Sequence, residues 1–110
     1  MTVRLGSATP ILRIFDVAKA REFYTGYLGY AVDREHRFEP ALPRYMQISR
    51  DGSTRHLSEH HGDGVPGQHL RVATADVESY HAELRDKVYG HMRPGVHTAP
   101  WGERSITVKF

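Results

Sequence analysis

The chain has 110 residues, of which 39% are hydrophobic and 25% charged, with a formal net charge of +2 and no cysteine. These values describe one globular domain and exclude disulfides and thiolate chemistry. The Lys and Arg residues are scattered rather than clustered, which argues against a nucleic-acid footprint, and no apolar run approaches the roughly 20 residues that span a bilayer. The first ten residues carry no signal-peptide pattern, so a cytoplasmic location is expected.

In chain order, residues 10–15 are apolar and β-branched and read as a strand. Asp16 follows as an N-cap, its carboxylate able to accept from the free amides of a first helical turn. The spacing of Val17, Ala20, Phe23, Tyr24 and Tyr27 predicts an amphipathic helix over 17–28, stopped by Gly29 at C′. Residues 30–35 read as the next strand and 38–44, with two prolines, as a loop. Over 45–50 the residues alternate, Met46 and Ile48 on one face and Tyr45 and Gln47 on the other. Asp51-Gly52 is a hairpin turn signal, and 54–60 is the return strand. The segment HGDGVPG at 61–67 is a linker.

The order then recurs. LRVATADVESYHAEL, starting at Leu70, echoes ILRIFDVAKAREFY, starting at Ile11, and Asp76-Val77 falls sixty positions after Asp16-Val17. A strand is predicted over 68–74, a helix capped by Asp76 over 77–89 and ended by Gly90, and further strands over 96–98 and 105–110. An internal repeat in so short a chain indicates one pseudo-symmetric domain made of two copies of a small motif. The modules are placed at about 8–61 and 67–110, with 62–66 between them, and the groove between modules is where function is sought.

Two βαβββ modules, an Asp at each strand-to-helix corner and LGY after the first helix resemble the vicinal-oxygen-chelate superfamily, which includes glyoxalase I, ring-cleaving dioxygenases and bleomycin-resistance proteins. TPILRIFDVAKAREFYTGYLGY, HLSEHHGDGVPG and PWGERSITV are most similar to its bleomycin-resistance branch. The resemblance implies an α+β fold of paired βαβββ modules, here lacking the final strand, and a C2 homodimer in which Pro10 serves as a hinge.

In metal-dependent relatives, the ligands come from the first and last strands of each module. The matching positions here are Thr9, Glu59 and His69, and the fourth would lie on the absent strand. A catalytic metal needs about three good N/O donors, so no metal or other cofactor is expected, with Glu59 and His69 only weak candidates. His60 and His61 are adjacent and face opposite ways in a strand, so they cannot share a metal. No nucleophile elbow or phosphate loop is present.

Trp101 is the only tryptophan and lies between Pro100 and Gly102 on a loop. In the family, the Trp of this PWG motif stacks on the flat part of a bound antibiotic. Phe38, on the loop after the second strand, would form the opposite wall, and Tyr45, Glu59, His60 and Arg71 would supply hydrogen bonds. The resemblance therefore implies a non-catalytic protein that binds and sequesters a planar antibiotic of bleomycin type. The slightly positive net charge departs from the acidic grooves that hold cationic bleomycins, so another planar small molecule fits as well. The alternatives are a metal-dependent lyase or dioxygenase of the same superfamily and an interaction module with a closed groove.

Overall fold

A computed structural model describes residues 2–36, 43–87, 89 and 92–110. The elements are β1 (Ile11–Arg13), α1 (Val17–Arg21) continued by a π-helical segment (Glu22–Tyr27), β2 (Ala31–His36), β3 (Tyr45–Arg50), β4 (Ser53–Ser58), α2 (Val77–Asp86), β5 (His97–Thr98) and β6 (Arg104–Ser105). The protein is α+β. β1 to β4 form one mixed sheet in the order β1-β4-β3-β2, and β5 pairs only with β6.

The first half follows its pattern closely. β3 and β4 are joined by Asp51 and Gly52, both at positive φ (50° and 80°), the backbone of the tight turn expected of Asp-Gly. β1 runs parallel to β4 and β3 antiparallel to it, so Leu12, Leu57 and Met46 share a row. That row, with Ile14 and Ile48, is buried against the helices. Asp16 caps α1 by accepting from the Lys19 amide at 3.0 Å.

The helix was expected to be α-helical over 17–28, and here the structure differs. After Arg21 it widens into a π turn, in which the Leu28 amide reaches back to the Phe23 carbonyl at 2.9 Å. The Thr25 hydroxyl bonds the Arg21 carbonyl, a back-bond that bends helices. The extra residue per turn lets Phe23, Tyr24 and Tyr27 all enter the core, at 2%, 6% and 1% exposure. Phe23 meets Tyr24 edge-on and Tyr27 stacks on Tyr89.

The second half departs further. Asp76 caps α2 as expected, accepting from the Ser79 amide at 3.0 Å and its hydroxyl at 2.6 Å, and these bonds hold its carboxyl below the usual value. α2 ends at Asp86, short of the expected 89, because Lys87 turns to extended backbone and its ammonium bonds the Tyr27 carbonyl at 3.1 Å. The expected terminator, Gly90, lies outside the described residues. Segment 68–74 was expected to be a strand and is not: among the described residues it makes no strand pairing, and it is almost wholly exposed. The strand expected over 105–110 is reduced to Arg104–Ser105. Beyond it Ile106, Val108 and Phe110 lean on the core without ladder partners. A strand needs a neighbour to satisfy its backbone, and among the described residues these two segments have none alongside. The radius of gyration of 15.7 Å exceeds the ~13 Å of a compact chain this long, as expected of a second half that is spread out.

The halves are joined by charge. The Arg50 guanidinium forms a bidentate pair with Glu83 at 2.6 and 2.7 Å and bonds the Leu28 carbonyl at 2.8 Å. Arg50 and Lys87 together hold the Glu83 carboxyl down to about 2, from 4.5. A depressed carboxylate stabilises the fold above its unfolded value and loses that contribution as pH falls. Replacing Glu83→Gln is expected to cost about 1 kcal/mol at pH 7, the bridge being a third solvent-exposed and screened. The difference from the parent should fade between pH 4.5 and 2, as checked by urea unfolding at both ends of that window.

Candidate ligand-binding face

The sheet has an apolar face under the helices and a polar face opposite. On β3 the buried residues are Met46 and Ile48, which puts Tyr45, Gln47 and Ser49 on the polar side. Their cross-strand partners are Ser58, His56 and Thr54, and β1 adds Ile11 and Arg13 at the edge.

This face is organised. Tyr45 and His56 share a short hydrogen bond between the phenol and Nδ1. Burial raises the Tyr45 phenol above its ordinary value, and the Asp63 charge adds to this while Arg34 opposes it. An irregularity of β2 between Val32 and Arg34 leaves Asp33 able to accept from Gln47 Nε2 at 3.1 Å and from the Ser49 hydroxyl at 2.9 Å. The linker closes the β1 side. Ser58 Oγ bonds Asp63 at 2.9 Å, and the Arg13 guanidinium donates to the His60 carbonyl at 2.9 Å. Gly64, at φ +68°, lies so close that a Cβ there would sit 2.6 Å from the Ile11 carbonyl oxygen.

The residues singled out in the sequence are dispersed over this single chain. Tyr45 is on the polar face. His60 follows β4, its amide bonded to Ser58 Oγ at 3.0 Å. Glu59 points the other way, accepting from the Arg44 amide at 3.0 Å and lining a cavity with residues of α1. Arg71 is exposed and ion-paired with Glu103. Phe38 lies outside the described residues. Trp101 occupies the tip of the β5–β6 hairpin, in a turn closed by the Gly102 amide on the Ala99 carbonyl at 2.8 Å, and is 76% exposed. Pro100 fits the second position of such a turn. His69 is exposed within 68–74. Among the described residues, no three His, Asp or Glu side chains converge as a metal site would require.

Asp33, Gln47, Ser49 and His56 join Tyr45 on the polar face but were not selected from the sequence. The period-2 alternation of β3 was the signal for Gln47 and Ser49. The register that brings in His56 and Asp33 could not be read without the pairing.

A four-stranded sheet of order β1-β4-β3-β2 carrying its helices on one face, followed by a second half that repeats the strand–Asp–helix order in sequence, defines a protein of the βαβββ class. The chain belongs to the glyoxalase superfamily: a family profile described as "Glyoxalase superfamily protein" matches residues 2–109. Among solved structures, it is similar to SMU.1112c, at 19% identity and a TM-score of 0.61 over 92% of this chain and 88% of that one. A member of the glyoxalase/bleomycin resistance protein/dioxygenase superfamily from Sphaerobacter thermophilus DSM 20745 matches at 19% identity and TM-score 0.60, covering 91% and 86% of the two chains. TnmS3, an antibiotic binding protein from Streptomyces sp. CB03234, matches at 18% and TM-score 0.53, covering 93% and 94%. No curated protein matches at a significant level.

The exposure of Trp101 has a direct spectroscopic consequence. As the only tryptophan, it should emit at the wavelength of water-exposed indole and be freely quenched by acrylamide. A blue-shifted, protected emission would mean that something covers the hairpin tip.

Proposed function

We propose that this protein binds and sequesters a planar small-molecule antibiotic without transforming it, acts in the cytoplasm and confers resistance. The observation that carries this reading is Trp101. A large aromatic held 76% exposed at a hairpin tip adds little to the core, and its face suits a planar ligand. Phe38 would provide a second aromatic wall, and Tyr45, His60 and Arg71 directional hydrogen bonds. Similarity to an antibiotic binding protein agrees with this choice among the activities of the superfamily. A bleomycin-type antibiotic is the first ligand to test.

The residues named lie on separate elements of one chain, so the reading includes a homodimer whose second copy brings Arg71 and Trp101 toward the polar face of the first. The apolar surface at Val72 and Phe110, together with segments that lack strand partners among the described residues, is suited to such pairing. Sedimentation velocity at micromolar concentration should show a dimer, and a monodisperse monomer would sink this part of the reading.

Titration with metal-free bleomycin, followed by tryptophan fluorescence, tests the binding. Saturable quenching near one ligand per chain is expected, and Trp101→Ala, followed by calorimetry, should weaken binding about tenfold or more, as loss of a stacking anchor does. A protein that binds no antibiotic but carries stoichiometric metal after purification would point instead to the metal-dependent lyases or dioxygenases of the superfamily.

A further inference from the structure

On the helix side of the sheet, where β1 passes into α1, an open cavity of about 510 Å³ is lined by Phe15, Asp16, Val17, Ala18, Arg21, Arg44 and Glu59. It is separate from the polar face of Tyr45 and His56, and its size falls in the ~300–1,000 Å³ range of small-molecule sites.

Its charges are arranged in an unusual way. The four ionised lining side chains balance, Asp16 and Glu59 against Arg21 and Arg44, yet they form no ion pairs with one another. Both arginines turn instead to a single carboxylate outside the lining, Glu35, in close contact from Arg21 and at 3.5 Å from Arg44. Two guanidinium groups thus share one negative charge. Among the described residues, the Asp16 carboxylate accepts only the Lys19 amide and the Glu59 carboxylate only the Arg44 amide. Among the described residues, each keeps one carboxylate oxygen without a donor, and neither is in an ion pair. The rest of the lining is apolar, made by Val17, Ala18 and Phe15, whose ring is 66% exposed and stacked beneath the Arg13 guanidinium.

We propose that this cavity binds a small zwitterion with an aromatic side group, an aromatic α-amino acid being the simplest example. The ligand carboxylate completes the charge shared by Arg21 and Arg44, its ammonium takes the free oxygens of Asp16 and Glu59, and its ring lies on Phe15. Charge-assisted bonds of this kind are the strong ones, and a ligand of single charge leaves one pole unpaired.

The test uses the full chain, labelled with ¹⁵N and titrated in the millimolar range with L-phenylalanine, phenylacetate and phenethylamine. Saturable amide shifts over 15–21 and at Arg44 and Glu59 are expected for L-phenylalanine, with each half-charged probe at least fivefold weaker. Arg21→Gln should weaken L-phenylalanine at least threefold, and Arg85→Gln, on the exposed side of α2, should not. If Arg21→Gln loses spectral dispersion, Glu59→Gln takes its place. Three probes binding alike, shifts confined to the polar face, or no saturable shift would each overturn the proposal. Neither antibiotic binding nor Trp101 emission enters this readout, so it stands or falls apart from the proposal for the groove.

Discussion

The two halves of the chain are held together by a set of donors aimed at the end of the first helix. A helix C-terminus leaves carbonyls without intrahelical partners, and here β3 and the second half together supply donors to them. The Leu28 carbonyl accepts from Arg50 at 2.8 Å and from the Tyr80 hydroxyl at 2.7 Å, and the Tyr27 carbonyl accepts from Lys87 at 3.1 Å. Glu83 binds both cations, and Arg50 stacks on Tyr80. The arrangement requires glycine at 29. Its φ of +83° is open to few other residues, and a Cβ there would sit 2.3 Å from the Arg50 guanidinium. β3, the π turn and α2 are therefore fixed to one another by a few groups, which also place Leu84 in the core beside Tyr27 and Leu28.

The same strand–Asp–helix sequence has two different outcomes in the two halves. In the first, every strand finds a hydrogen-bonded neighbour and the sheet buries Leu12, Met46, Ile48 and Leu57. In the second, the helix forms because its cap is local, carried by Asp76 and Ser79, whereas the sheet shrinks to a short hairpin. Helical structure is decided within a few residues of itself, but a strand depends on what lies beside it. The exposed Val72 and the laddderless Ile106 and Val108 mark where that dependence goes unmet.

This difference also explains what could be read in advance. Both caps, the Asp51-Gly52 turn, the limits of β3 and the buried stripe of Ala20, Phe23, Tyr24 and Tyr27 were legible, because each rests on local chemistry or a strong period. The π turn was not: a stripe of 3.6 period tolerates one extra residue without changing which side chains are apolar. The strand over 68–74 was inferred from the repeat and that over 105–110 from its alternation, and neither pattern carries information about which edges meet. For the site, residue types were legible but faces were not. Tyr45 and Glu59 were grouped by family resemblance, while the register of β3 on β4 sends them to opposite sides.

That separation bears on how the sheet could serve two kinds of chemistry. Neighbouring positions past the end of β4 diverge. Ser58 and the His60 amide stay with the linker and the polar face, while Glu59 turns to α1 and Arg44. The polar face offers a fixed hydrogen-bonded network, Tyr45 with His56 and Gln47 and Ser49 with the Asp33 carboxylate, suited to directional recognition. The helix side offers separated opposite charges around an apolar wall. A change of parity by one residue in β4 would exchange these two sets, so the pinning of β4 between β1 and β3 determines not only the fold but which chemistry each side presents.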